Sequence, residues 1–279
     1  MSTRINSNIA ALSAARNLKG VQSRLSQSIE RLSSGLRVNR GADDAAGLAI
    51  SESLRAQVRG YNQANRNATD GISLVQTAEG ALNEINALLT RAFELATQAA
   101  NGTLGSSQRS SINNEFTAIK NEITRISDTT EFNNTKLLDG TLASSATAVN
   151  IMVGITNSVN SKISVNVVKD LDATHLSVNG QTLSTAAGAL SALGKISSAI
   201  STVSNVRGDL GAIQNRLTST INSLEVTAEN LTSAESLIRD VDFAIETAEF
   251  TKNSILTQAA TAVLAQANML PQTVLTLLG

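Results

Sequence analysis

The chain contains no cysteine and no tryptophan, and only one proline, one histidine and one tyrosine among its 279 residues; aromatic residues make up 2%. Each shortage removes a class of explanation. Without cysteine there is no disulfide framework, no thiolate nucleophile and no zinc–thiolate site. A single histidine, His175, cannot serve both a Ser-His-Asp triad and a metal centre. Aromatics bury the most area per residue, and a compact enzyme core usually relies on them; here Ala, Leu, Ile and Val must do that work, which suits thin helix packing. Charge is balanced, 22 Lys+Arg against 23 Asp+Glu, a net of -1, so the basic stripe of a nucleic-acid binder is missing. No apolar run approaches the roughly 20 residues that cross a bilayer, so no membrane partner is expected. The opening Met1 to Asn8 carries no apolar h-region, so export, if it occurs, is expected by a route other than Sec.

What is present is helical periodicity. Ile196, Val203, Leu210, Leu217, Leu224, Leu231, Ile238 and Ile245 fall at intervals of seven, and the residues four further on are mixed (Ile200 and Ile221 are apolar, Arg207 and Gln214 are not). This predicts one helix of ~50 residues with a single seam, about 75 Å long at 1.5 Å per residue. After Ile245 the register slips by four. Leu256, Ala260, Val263, Ala267, Leu270, Val274 and Leu277 then alternate by four and three, a seam in which Ala260 and Ala267 allow close backbone approach. Pro271 should bend or weaken the last turns.

At the other end, Ile5, Ile9, Leu12, Leu18, Val21, Leu25, Ile29 and Leu32 describe an amphipathic helix that stops at Gly35. The glycine-containing stretch to Gly47 reads as a hinge, with Asp43-Asp44 placed to cap the helix that follows. That helix repeats Leu54, Tyr61, Ala68, Val75, Leu82, Leu89 and Ala96 at sevens, although Gly60, Gly71 and Gly80 each cost about 1 kcal/mol against Ala. A third helix carries Ile112, Phe116, Ile119, Ile123 and Ile126. Between about 140 and 185 the period becomes two: Val149, Ile151, Val153, a turn from Gly154 to Ser161, then Ile163, Val165, Val167, a hairpin signal. The expected fold is mainly α, an elongated helical bundle or coiled-coil rod with a small β-hairpin insert. Paired terminal helices would occupy 1–43 and 236–279, an outer bundle 44–140 and 184–235, and a β region 141–183.

No site chemistry emerges. Gly188 to Ile196 imitates a phosphate loop but has five residues between its glycines and Ile196 where Ser or Thr would bind magnesium; Gly194-Lys195 reads instead as the entry to the long helix. Asp170, Asp172 and His175 read as solvated turn residues. Asn67, Asn101, Asn133 and Asn230 head Asn-x-Thr triplets, two of them inside predicted helices. No catalytic, cofactor or metal residue is assigned. The informative feature is that both termini carry apolar stripes wider than one partner helix covers. Alone, such ends would not offset ~1–2 kcal/mol of backbone entropy per residue, so folding is expected to be coupled to assembly with other copies.

Particular runs carry a resemblance. Ile5-Asn6-Ser7-Asn8, Ser33 to Asn39, Asp43 to Ser51 and Asp70 to Leu82 closely resemble the N-terminal signature of bacterial flagellin. Ile238 to Asp242, Ala265 to Asn268, Pro271-Gln272 and the Leu-Leu-Gly terminus are similar to its C-terminus. Together these cover roughly 1–140 and 190–279. The resemblance implies a structural subunit, not an enzyme, that self-assembles as a helical homopolymer into the extracellular flagellar filament after export by the flagellar type III apparatus. It is a short form without the large outer domains. It implies Ile5, Ile9, Leu12, Leu25, Leu32, Leu256, Val263, Leu270 and Leu277 as filament-core packing residues. An export chaperone, cap and hook-junction proteins would be partners, with no cofactor. A Toll-like receptor that senses flagellin is also implied as a partner: its recognition stretch is similar to 91–96 here, which places Arg91, Leu95 and Glu115 at a receptor or neighbour contact, with Phe93 where a second arginine is common. The same resemblance extends to the hook–filament junction protein; a soluble helical adhesion or signalling protein is the alternative from another class.

Overall fold

The computed structural model describes residues 7–143, 148–165 and 170–275, with backbone alone for 143 and 270–275. The elements are α1 (Ile9–Ser34), α2 (Ala45–Ala100), α3 (Ser106–Thr129), β1 (Glu131–Phe132), β2 (Thr135–Lys136), β3 (Val149–Met152), β4 (Lys162–Val165), α4 (Ala186–Arg239) and α5 (Phe243–Leu275). The chain divides into two compact units, Met1–Ala56 with Asn230–Gly279, and Gln57–Glu229.

In the unit 57–229 the helical repeats close on one core. Ala68, Val75, Leu82, Leu89 and Ala96 of α2, Ile112, Phe116, Ile119 and Ile123 of α3, and Ile196, Val203, Leu210 and Leu217 of α4 are all buried in a single cluster. The seam of α4 is completed three residues on, at Ala199, Val206 and Ile213, and not four on, where Arg207 and Gln214 lie. An inward face therefore recurs by three and four, as a straight helix of 3.6 residues per turn requires. α2 runs unbroken through its glycines, and two of them have a packing reason. A Cβ at Gly71 would collide with Ile151, and one at Gly60 would meet Ile155 at 2.6 Å. The β3–β4 hairpin lies against α2 at these points, with Asn67 Nδ2 donating to the Met152 carbonyl at 3.0 Å. Its strands pair antiparallel with Val149 opposite Val165 and Ile151 opposite Ile163, so the alternating apolar residues face one another, although the alternation alone does not set this register; Val167 lies outside the described residues.

A second hairpin, β1–β2, is not anticipated by the alternation because each strand has two residues. Its signal is the Asn133-Asn134 pair, with φ of 49° and 62°, the two left-handed residues that a tight hairpin turn demands and asparagine tolerates. Beyond it, the loop before α4 is held to α3. Lys120 Nζ donates to the carbonyls of Asn179 (2.9 Å) and Gln181 (3.0 Å) and sits 5.0 Å over the Phe116 ring. Burial lowers the Lys120 pKa. α4 begins at Ala186, well before Gly194-Lys195, because the Thr185 hydroxyl accepts from Gly188 N–H at 3.1 Å and so starts the helix there.

In the other unit, α1 and α5 lie antiparallel and close enough for facing Cα atoms to come within 8 Å. α1 ends as expected at Gly35, whose φ of 72° is the left-handed cap only glycine adopts freely. The long C-terminal helix is not continuous through Ile245. It stops at Arg239, and Asp240 to Asp242 form a link to the end of α1: Leu36 bridges Asp240, Arg37 N–H donates to the Arg239 carbonyl at 2.7 Å, and Val241 N–H donates to the Gly35 carbonyl at 3.0 Å. Asp242 then caps α5, accepting from Ala244 and Ile245 N–H. The stretch after Gly35, read as a hinge, is a hydrogen-bonded strap. Asp43 accepts from the Asn39 and Arg40 amides and from Gln27, and Asp44 caps α2 through Gly47 N–H at 2.8 Å. α5 continues as helix past Pro271.

Candidate assembly surface

The pairing of α1 with α5 uses an unexpected set of residues. On α1 the fully buried positions are Ala14, Val21 and Ser28, with Ala11, Leu18, Leu25 and Leu32 half-buried between them. On α5 they are Glu246, Asn253 and Ala267, with Phe250, Thr257, Ala260 and Leu264 half-buried. Both sets alternate by three and four, the mark of a two-helix seam. Yet the most deeply buried seam positions are mostly small or polar, with the larger Leu18, Leu25, Leu32, Phe250 and Leu264 only half-buried beside them. Close approach selects Ala and Ser, and Glu246 enters the seam against Arg31, 3.5 Å away. Arg31 closes the last turn of α1 and Glu246 opens α5, so each charge opposes its own helix dipole end. The Arg31 Nε is buried without a hydrogen-bond partner.

The greasy side chains face away. Ile9 is 66% exposed, Leu12 63%, Leu256 39% and Val263 59%, alongside Ile255, Met269, Phe243 and Ile245. Of the filament-core residues implied by the resemblance, Ile9, Leu12, Leu256 and Val263 thus lie off the intramolecular seam, and Leu25 and Leu32 lie on it. Ile5 and Leu277 fall outside the described residues, and the Leu270 side chain is among those not described. Leu256, Val263 and Leu270 are spaced by sevens along α5, so they share one helical stripe beside the Ala260–Ala267 line. From Asn253 to Gly279 no side chain carries a charge. Soluble proteins rarely leave contiguous apolar surface of this kind uncovered.

In the unit 57–229, Arg91 and Glu115 meet on the surface. Arg91 donates to Glu115 at 2.9 Å and to Glu94 at 3.0 Å, and these hydrogen bonds, Glu115 first, raise the arginine pKa. Leu95 is not beside them: it is 1% exposed, in the core between Ala92 and Ala99. Phe93 is 40% exposed and, two residues from Arg91, lies on another side of α2.

Asp170, Asp172 and His175 do converge, with His175 Nδ1 2.7 Å from Asp170 and 3.1 Å from Asp172. The turn accounts for them. Asp172 accepts from the His175 amide at 2.6 Å, closing an Asx-type turn. Burial of Asp172 works to raise its pKa, but the hydrogen bonds from His175 hold it below the usual carboxylate range. Asn67, the first of the Asn-x-Thr asparagines, is occupied by the Met152 carbonyl. None of the described helices is long and apolar enough to cross a membrane.

Comparison with known proteins gives these surfaces a context. Residues 5–143 match the bacterial flagellin N-terminal helical region, and residues 193–278 match the bacterial flagellin C-terminal helical region. The chain is 47% identical over 274 residues to a flagellin of Halalkalibacterium halodurans, covering 98% of this chain and 99% of that one. It is 47% identical over 303 residues to a flagellin of Bacillus subtilis, covering 99% of each. The crystal structure of Bacillus cereus flagellin aligns at 29% identity with a TM-score of 0.49, over 61% of this chain and 94% of that one. The chain therefore belongs to the bacterial flagellin family, in its short form without the large outer domains, and is a structural subunit of the flagellar filament.

Proposed function

We propose that copies of this chain polymerise by burying the outward apolar face of α5, together with the first turns of α1, against one another at the filament core. Ile9, Leu12, Leu256 and Val263 supply that face, Ile5, Leu270 and Leu277 extend it, and Leu25 and Leu32 hold the pair from inside. The supporting observation is the surplus just described: the seam that one chain can close alone buries mostly small and polar positions most deeply, and a second set of large apolar residues on α1 and α5 is left exposed. Each buried Val or Leu side chain contributes about 1.5–3 kcal/mol, repeated at every subunit. In this reading 1–43 and 236–279 line the core, 44–140 and 184–235 form the outer bundle, and 141–183 stands in place of outer domains.

The uncharged tail after Lys252 is the segment an export chaperone would cover before passage through the type III apparatus, and cap and hook-junction proteins would meet the same terminal helices. The finished subunit would lie outside the cell. The Arg91–Glu115 pair, with Glu94, forms the surface for a neighbouring subunit or a Toll-like receptor, with Leu95 supporting it from the core. Purified chain seeded with sheared filament fragments, followed by electron microscopy of negatively stained product, tests the central reading. Long fibres are expected. A chain that stays monomeric at high concentration with seeds present would favour a soluble helical protein instead.

A further inference from the structure

A seam whose deepest positions are mostly small or polar raises a problem of register. Alanines recur every seven residues on α5, at Ala260 and Ala267, and Ala14 and Val21 do so on α1. Shape alone would let the pair slip by one heptad, about 10 Å at 1.5 Å per residue, and a slip would displace every outward apolar side chain relative to the strap. Something must distinguish the correct register from its neighbours.

One backbone group in α5 is chemically marked. In a helix the carbonyl of residue i accepts from the N–H of residue i+4. For Ala267 that residue is Pro271, which has no N–H. The Ala267 carbonyl is therefore free of its helical donor, although α5 continues past it. Asn8 fills the gap. Its Nδ2 donates to the Ala267 carbonyl at 2.7 Å across the pair, and its Oδ1 accepts from the Ala11 amide at 3.0 Å, capping α1. One amide side chain thus starts one helix and completes the other. Mid-helix carbonyls that already hold an N–H donor are poorer targets, so a slip of one heptad toward the start of α5, to Ala260, would give Asn8 no equivalent acceptor.

We infer that Asn8 and Pro271 together form a register lock for the α1–α5 pair: the proline frees one carbonyl and the asparagine reads it. Asn8 is a positioning residue. The inference concerns the pairing within one chain and rests on the filament reading only in the choice of sample.

Asn8→Asp separates the two roles, because a carboxylate still caps α1 but cannot donate. Pro271→Ala restores the N–H, so the Ala267 carbonyl no longer needs Asn8. The chain has no cysteine, so spin labels can be placed at Lys19→Cys and Gln258→Cys, both exposed positions, and labelled chain can be copolymerised with excess unlabelled chain. Parent chain should give one narrow intrachain distance. Asn8→Asp should broaden it or add a population displaced by about 10 Å, or else fail to polymerise. The Asn8→Asp effect should largely vanish when measured in the Pro271→Ala background, where both chains have the same carbonyl satisfied. An Asn8→Asp distance identical to the parent overturns the lock, and so does an Asn8→Asp defect equally large in the Pro271→Ala background, which would mean that Asn8 acts elsewhere. Failure of the parent chain to polymerise would instead count against the filament reading.

Discussion

The two units of this chain treat the same kind of helix in opposite ways. In 57–229, heptad-spaced Leu, Ile and Val residues of α2 and α4 turn inward with Ile112, Phe116, Ile119 and Ile123 of α3, and the largest side chains, such as Phe116, Leu82 and Leu210, are inaccessible to solvent. In the unit built from the two termini, the buried apolar residues among those described are Ala14, Val21, Val38 and Ala267, while Ile9, Leu12, Ile255, Leu256, Val263 and Met269 lie open. One unit is complete alone. The other buries mostly small residues and leaves large apolar ones exposed, the face proposed above for other copies.

Two substitutions, one in each unit, break this comparison most sharply. Val263→Asp places a charge on a side chain that is 59% exposed in the single chain, so unfolding of the 57–229 unit, followed by calorimetry, should not shift. Fibre formation should be lost entirely, since each interface would have to desolvate a carboxylate. Leu210→Ala should do the reverse. Leu210 is fully buried, and truncation leaves a cavity worth about 2–5 kcal/mol, so the melting temperature of that unit should fall by several degrees or more. Seeded growth at low temperature should persist. Normal fibres from Val263→Asp would remove the outward face of α5 from the filament core.

The contrast also marks what could be read before any coordinates. The helices of 57–229 and their core, the stop at Gly35 and the presence of the β3–β4 hairpin follow from periodicity and turn residues, because there the apolar face and the buried face coincide. In α5 two stripes run by sevens side by side, Glu246-Asn253-Ala260-Ala267 and Leu256-Val263-Leu270. Periodicity says which residues share a face and is silent on which partner that face meets. Intrachain closeness favoured the smaller stripe. The break at Asp240–Asp242 was hidden for a related reason: the heptad runs straight through it to Ile245, and only the capping aspartate at 242 signals the stop. Leu95 is a harder case. It stands four residues after Arg91, so helical spacing alone does not separate the two; what does is its place on the buried line of Ala92 and Ala99, which puts it in the core.

The glycines of α2 sharpen the comparison at smaller cost. At Gly80 a Cβ would meet nothing within 4 Å, whereas at Gly71 it would strike Ile151. Gly80→Ala should therefore stabilise the 57–229 unit by about 0.5–1 kcal/mol, the ordinary helix-propensity gain. Gly71→Ala should destabilise it by about 1–3 kcal/mol through overpacking, and Ile151→Val, which removes the clashing methyl, should return part of that loss. Chemical denaturation of the four chains reads all of this. Equal effects at the two glycines would mean that the β3–β4 hairpin does not rest on α2 at Gly71.

The smallest expected effect belongs to the terminal unit and tests whether its strap is fastened or free. Asp43 is exposed, yet its carboxylate accepts from the Arg40 and Asn39 amides, and these hydrogen bonds, Arg40 first, lower its pKa below the usual value. A group whose folded pKa lies below its unfolded one binds fewer protons when folded. Its contribution is therefore complete above the unfolded value of about 3.9 and is lost as pH falls through the lower folded value. Amide exchange at Asn39 and Arg40, followed by NMR on acidification, should accelerate in that window, with α3 amides around Ile119 as the internal reference. Asp43→Asn retains an acceptor but no titrating group, so its strap should exchange without this acid dependence. If the parent and Asp43→Asn traces coincide across the window, the Asp43 carboxylate is not what fastens the strap, and the resistance of 35–44 to opening comes from its other contacts, among them the Leu36–Asp240 bridge, the Arg37 and Val241 amides, and Glu30, which holds Asn39 and Arg40.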